Sequence, residues 1–128
     1  MKLLLDTCTF LWMISAEDRL SPAARDALEN PTHTLYLHQA SAWEIQIKHQ
    51  KGSLTLSESP KYLIRQGLKL HDIAYLKLED AAIWHLKKLP EHHKDPFDRV
   101  LISTALTEGM KMVTPDPKIH QYPLALIW

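Results

Sequence analysis

Short apolar runs alternate with helical stretches along this chain, and that alternation restricts the fold more than any other feature. Residues 2–5 (KLLL), 34–37 (TLYL), 68–70 (LKL), 110–114 (MKMVT) and 124–128 (LALIW) read as strands. Helix starts and stops lie between them. Thr7 to Ile14 reads as a helix. Ser21-Pro22, a cap followed by proline in the first turn, opens a helix that runs to Asn30 and stops at Pro31. Ser41 caps Ala42 to Lys51, with Gly52 as the stop. Ser59-Pro60 opens another helix, closed by Gly67. Residues 78–89 carry apolar positions at Leu78, Ala82, Leu86 and Leu89, an amphipathic helix. Asp95-Pro96 begins a long helix through Glu108, ended by Gly109, and 116–122 is a turn or short helix. Short buried strands separated by helices pair in parallel, because a crossover helix returns the chain between them. The prediction is an α/β fold with a central, mostly parallel sheet flanked by helices. The length of 128 residues, without repeat, low-complexity tract or linker, suits one domain over 1–128.

Composition excludes several classes. Lysine plus arginine and aspartate plus glutamate number 15 each, so the net charge is zero with neutral histidine. A broadly basic nucleic-acid binder is excluded; contact with RNA would need a local patch, a metal or a basic partner. The only cysteine, Cys8, excludes an internal disulfide framework and a four-cysteine zinc site, and fits a reducing compartment. No window approaches the roughly 18 apolar residues of a membrane span. The opening MKLLLDTCTFLWMI is interrupted by Asp6 and lacks a signal-peptide cleavage site. The expectation is a soluble, cytoplasmic protein.

Four acids gather where an open α/β sheet collects its ligands, at the carboxyl ends of strands. Asp6 follows the first strand and Asp116 lies two residues beyond MKMVT. Asp98 and Glu44 stand in the first turns of two helices. Carboxylates at close range repel unless a cation compensates. Mg²⁺ and Mn²⁺ prefer such oxygen ligands. Taken singly, each acid also has a structural reading. Asp95-Pro96-Phe97-Asp98 is a capping arrangement. Ser41-Ala42-Trp43-Glu44 has the form of a capping box. Asp116 between two prolines is an ordinary turn former. Only the set, and Asp6 in particular, favours a cation; Asp95 reads mostly as a cap.

The segments LLLDTCTFLW, SAWEIQIKHQKGSLTL, HHKDPFDRVLISTALTEGMKMVTPD and the closing strand resemble a PIN-domain nuclease, and more narrowly the VapC toxins of toxin–antitoxin pairs. The motifs are short, but their ordered combination covers nearly the whole chain. The resemblance implies an endoribonuclease dependent on Mg²⁺ or Mn²⁺ that cuts structured RNA, often transfer or ribosomal RNA. It implies Asp6, Glu44, Asp98 and Asp116 as catalytic and metal-binding acids, Asp116 direct or through water. Thr7 and Thr114 match hydroxyl positions beside the cluster, and Asp95 is a supporting acid. It further implies a VapB-like antitoxin that covers the acids, and a homodimer.

Other residues carry weaker signals. Lys48, four residues after Glu44, either contacts RNA phosphate or pairs with Glu44. Arg99 is a second candidate for phosphate, with intrachain pairing the stronger expectation. His92 and His93 lie beside the site and could reach phosphate or act as an acid. The four tryptophans, Trp43 included, are expected in the core or an interface rather than as base-stacking platforms. A dehalogenase-like phosphatase would need a second aspartate two residues after Asp6, where Cys8 stands. A receiver-like module would need an acidic pair near the end of strand one, which is missing. An inactive PIN-like binding subunit is the remaining rival.

Overall fold

Strand β1 (Lys2–Leu5) owes its central place to three leucines that are all fully buried. Leu3 and Leu5 point into one core and Leu4 into the other, the two-residue period of a strand with apolar layers on both faces. The computed structural model describes residues 1–128. β1 pairs in parallel with β2 (Thr34–His38), Leu3 opposite Leu35 and Leu5 opposite Leu37, and on its other side with β4 (Lys111–Val113), Leu5 opposite Val113. β3 (Ile73–Leu76) extends the sheet beyond β2, and β5 (Leu126–Ile127) beyond β4. The order is β3-β2-β1-β4-β5, all parallel. The chain therefore builds outward from β1 on one side, then crosses to build the other. The switch point lies between β1 and β4.

Helices cover both faces. α1 (Thr7–Ser15), α2 (Pro22–Glu29), α3 (Gln39–Gln50) and α4 (Pro60–Leu70) bury Phe10, Met13, Ala24, Ala27, Ile45 and Ile64 against one face. α5 (Asp80–His85) and α6 (Pro96–Glu108) cover the other, where Leu101, Ile102 and Ala105 meet Leu4 and Met112. The Ser103 hydroxyl donates to the Ala82 carbonyl at 2.6 Å and ties α6 to α5. The caps at Ser21, Ser59 and Asp95 form as the sequence predicts: each side-chain oxygen accepts first-turn N–H groups, and each is followed by proline. Gly109 ends α6 at φ +67°, a left-handed stop.

Four expectations are corrected. LKL at 68–70 is not a strand: α4 continues through Leu70, and the third strand is Ile73–Leu76. Gly67 is no stop either. It sits inside α4, where a Cβ would lie 2.9 Å from Ile14 Cγ2 and Phe10 Cζ, so the glycine serves the close approach of α4 to α1. Ser41 does not cap α3, and Ser41 to Glu44 form no capping box. The helix begins at Gln39, and its cap is His38, whose Nδ1 accepts the Ala40 N–H at 2.8 Å. An imidazole acceptor replaced the hydroxyl that sequence favours. The segment 78–89 is also less regular than its periodicity suggests, with α5 followed by a 3₁₀ turn at Leu86–Lys88. No helix is long and apolar enough to cross a membrane.

Candidate active site

The carboxyl ends of β1 and β4 meet at the switch point, and Asp6 and Thr114 face each other there. The Thr114 hydroxyl donates to Asp6 Oδ2 in a short hydrogen bond. Asp6 Oδ1 accepts the Thr9 N–H at 2.8 Å, so Asp6 also caps α1. The Thr9 hydroxyl donates to the Val113 carbonyl at 2.9 Å and fastens the start of α1 to β4. Asp6 is 4% exposed. Burial drives its pKa above the ordinary carboxylate value, and the Thr114 and Thr9 hydrogen bonds only partly oppose that. The Cys8 thiol lies 3.5 Å from Asp6 Oδ1; burial, then the charge of Asp6, pushes its pKa far up and keeps it neutral. That disfavours the thiolate form that a nucleophile needs.

Glu44 arrives from α3. Its Oε1 accepts the Thr7 hydroxyl at 2.7 Å, and its Oε2 pairs with the Lys48 ammonium one turn on. Thr7 Oγ1 also lies 3.0 Å from Ser41 Oγ, within hydrogen-bond reach, so one hydroxyl links the starts of α1 and α3. The Glu44 hydrogen bond chiefly raises the Lys48 pKa, and the charges of Asp95 and Asp98 add to it. Half of the Lys48 side chain remains exposed.

Asp98 stands in the first turn of α6, where Asp95 Oδ1 accepts the N–H groups of Phe97 and Asp98 at 2.9 and 3.3 Å. Burial pushes the Asp98 pKa up to about 6, reinforced by the charges of Asp95, Glu44 and Asp116 and opposed by its 3.3 Å contact with His93 Nε2. That dependence on three other acids marks a single field of negative charge. Asp116 Oδ1 accepts the Lys118 N–H at 2.9 Å, a turn-forming role, while its own N–H donates to Thr114 Oγ1 at 3.1 Å. Thr114 thus binds Asp6 and orients the Asp116 loop together.

Arg99 is not free for phosphate. Its guanidinium donates to the carbonyls of Pro90 (2.9 Å), His93 (3.4 Å) and Leu86 (3.4 Å) and to the Tyr122 hydroxyl (3.0 Å). Sequence reading weighed His93 but missed its partner: His93 Nδ1 contacts the Tyr122 hydroxyl at 2.7 Å while Nε2 faces Asp98. Nothing in the local pattern around Tyr122 announces this link across 29 residues. Buried His38 was missed as well. Its Nε2 has no partner, and burial lowers its pKa. Trp43 is not a core residue: it is 62% exposed beside Glu44.

As placed, no three Asp, Glu, His or Cys side chains form a ready ligand cage. Glu44 is turned to Thr7 and Lys48, and Asp98 to His93. The donors are all hard carboxylate oxygens in mutual repulsion. That suits Mg²⁺ or Mn²⁺, since Mg²⁺ keeps several waters and takes one or two carboxylates directly.

Comparisons with known proteins bear on the fold and the family. None of the curated proteins matches the chain. A chain of the VapBC2 complex from Rickettsia felis, solved bound to a promoter DNA fragment, has the same fold: TM-score 0.76, 17% identity, 98% of this chain and 97% of that one covered. A chain of VapBC-1 from nontypeable Haemophilus influenzae gives 0.66 at 20% identity, with 98% and 96% covered. A chain of FitAcB from Neisseria gonorrhoeae gives 0.61 at 17%, with 97% and 95% covered. The family model of the PIN domain matches residues 3–124, and over that span this chain belongs to the PIN-domain family.

Proposed function

We propose that this chain is a VapC-type toxin, an endoribonuclease that hydrolyses RNA phosphodiester bonds with Mg²⁺ or Mn²⁺. The observation that supports the reading is the field of negative charge at Asp98, which is raised by burial and by the charges of Asp95, Glu44 and Asp116, next to a sheet whose β1 and β4 ends carry Asp6 and Thr114. Family membership supports nuclease chemistry, and three structures of like fold are toxin–antitoxin complexes.

Asp6, Glu44 and Asp98 would hold the metal, with Asp116 direct or through water. When bound, such an ion neutralises charge on the phosphate and lowers the pKa of a water. The chain's own residues set the stage. Thr114 and the Thr9 N–H fix the Asp6 carboxylate between two strands. Thr7 holds one oxygen of Glu44 while Lys48 balances the other. His93, braced by Tyr122, orients Asp98. Asp95 fixes the first turn of α6 that presents it. Lys48, half exposed and paired with Glu44, would be the cation nearest to hand for a phosphate of the RNA. The substrate is an RNA, transfer or ribosomal RNA by family analogy. The partners are a VapB-like antitoxin and a second copy of the chain, and the setting is the cytoplasm.

The test is incubation of the purified chain with total RNA and Mg²⁺ or Mn²⁺, followed by mapping of new RNA ends. Discrete cuts that vanish with chelator and in Asp6→Asn are expected. Cuts that survive the Asp6 change would overturn the assignment. RNA binding with neither cutting nor metal affinity would favour a non-catalytic PIN-like subunit.

A further inference from the structure

A groove of about 460 Å³ opens between the starts of α3 and α6, the two helices that carry Glu44 and Asp98. Its wall includes Gln39, Trp43, Phe97 and Val100, with Leu78 at one side. Trp43 immediately precedes Glu44, and Phe97 immediately precedes Asp98. The two rings meet edge to face, centroids 5.2 Å apart at 86°. Phe97 thus holds the indole plane in place while most of Trp43 stays open to solvent.

The groove is poorly suited to phosphate. Three of the first-turn donors are already used: Ala40 N–H by His38, and Phe97 and Asp98 N–H by Asp95. Its wall carries no cationic side chain, and Trp43 and Phe97 are each followed in the chain by an acid, Glu44 and Asp98. What it offers is a fixed aromatic face, apolar walls and one exposed amide at Gln39. An unstacked nucleobase needs that combination, stacking for its π-face and an amide for its edge. The volume lies within the range of small-ligand sites. A strand whose phosphate lies at the acids carries its neighbouring bases past the same two helix starts that form this groove.

We propose that the Trp43–Phe97 groove is a nucleobase-stacking subsite that seats an unpaired base of the RNA beside the scissile phosphate. This rests on the nuclease reading, and the test separates the two. Binding of short single-stranded oligo-A and oligo-U RNAs is measured by fluorescence anisotropy against an abasic ribose-phosphate oligomer of equal length, in Ca²⁺. Wild type is expected to prefer the base-bearing strands about tenfold. Trp43→Ala loses that preference, and Trp43→Phe keeps most of it. Both variants are checked for an unchanged melting profile, which exposure of Trp43 favours.

Cleavage of total RNA is mapped in parallel. A base preference that depends on Trp43 in a chain that cuts nothing would keep the subsite and remove the nuclease. Metal-dependent cutting with no base preference, or a preference that survives Trp43→Ala, would overturn the subsite. Wild-type RNA binding by Trp43→Ala, together with lost affinity for a co-expressed antitoxin, would reassign the groove to a protein partner.

Discussion

Replacing Asp98 with asparagine should stabilise the metal-free fold while it removes activity. The Asp98 carboxyl is raised from 3.8 to about 6, first by burial, then by the charges of Asp95, Glu44 and Asp116. A folded pKa above the unfolded one means that the fold binds the proton more tightly. The native state is therefore favoured by Asp98 below about pH 4, and that advantage is lost as pH rises to about 6. Above that pH the native state holds an ionised, partly desolvated carboxylate at a cost of about 3 kcal/mol, at about 1.36 kcal/mol per pH unit. The repulsion is shared with the other acids, and asparagine weakens the His93 contact. The net gain for Asp98→Asn at pH 7 is then about 1–2 kcal/mol, or several degrees in melting temperature. The assay is thermal unfolding in chelator from pH 4 to 8, with RNA cleavage measured alongside. The variant should melt above wild type at pH 7 and converge with it near pH 4. Equal or lower stability at pH 7, or a difference independent of pH, would refute the reasoning about the acid cluster.

Gly67→Ala should destabilise by about 1–3 kcal/mol despite alanine's better helix propensity, because the new methyl meets Phe10 and Ile14 at 2.9 Å in a packed core; a thermal melt decides. His38 has a folded pKa below its ordinary 6.5, so it supports the fold above that pH and weakens it as pH falls below. His38→Asn keeps a side-chain acceptor for the Ala40 N–H, so the variant should lose less stability than wild type between pH 7 and 5, even if it starts lower. Asp95→Ser retains a cap for α6 and removes one of the charges that raise Asp98. The Asp98 carboxyl, followed by NMR, should then titrate below about 6, and an unchanged titration would contradict the role given to Asp95.

The sheet was largely legible because its strands are buried on both faces and say so with continuous apolar runs. KLLL, TLYL and KMV needed no more than that. The third strand was misplaced because its pattern is weak: Ala74 and Tyr75 are exposed, while the neighbouring LKL looks equally strand-like. Only packing tells them apart, through Gly67 pressed against Phe10 from inside α4. The acids stood out because each lies one step beyond a recognisable strand or cap. Their partners did not. Thr7 bonds a glutamate 37 residues away, and Thr114 an aspartate 108 residues away. Such contacts exist only once the sheet has brought β1, α3 and β4 together. Arg99 was similarly ambiguous, since its acceptors are mostly carbonyls, which every residue carries.

Those internal partners limit how the chain can hold RNA. Three carboxylates, those of Glu44, Asp95 and Asp98, surround one committed ammonium, that of Lys48, and Asp116 adds to the negative field at Asp98. Arg99 is engaged by the loop that carries His93 and by Tyr122. The whole chain has zero net charge, so little long-range field draws in a polyanion. Affinity from counterion release needs several cationic contacts, and the immediate rim supplies few. On the nuclease reading, recognition by the free chain must depend on close contact: metal at the acids, stacking at Trp43, and shape around both. Close contact discriminates between bases and between folded and open RNA in a way that bulk charge does not. On that proposal the neutral chain would trade reach for selectivity, and would cut at few sites rather than degrade RNA generally.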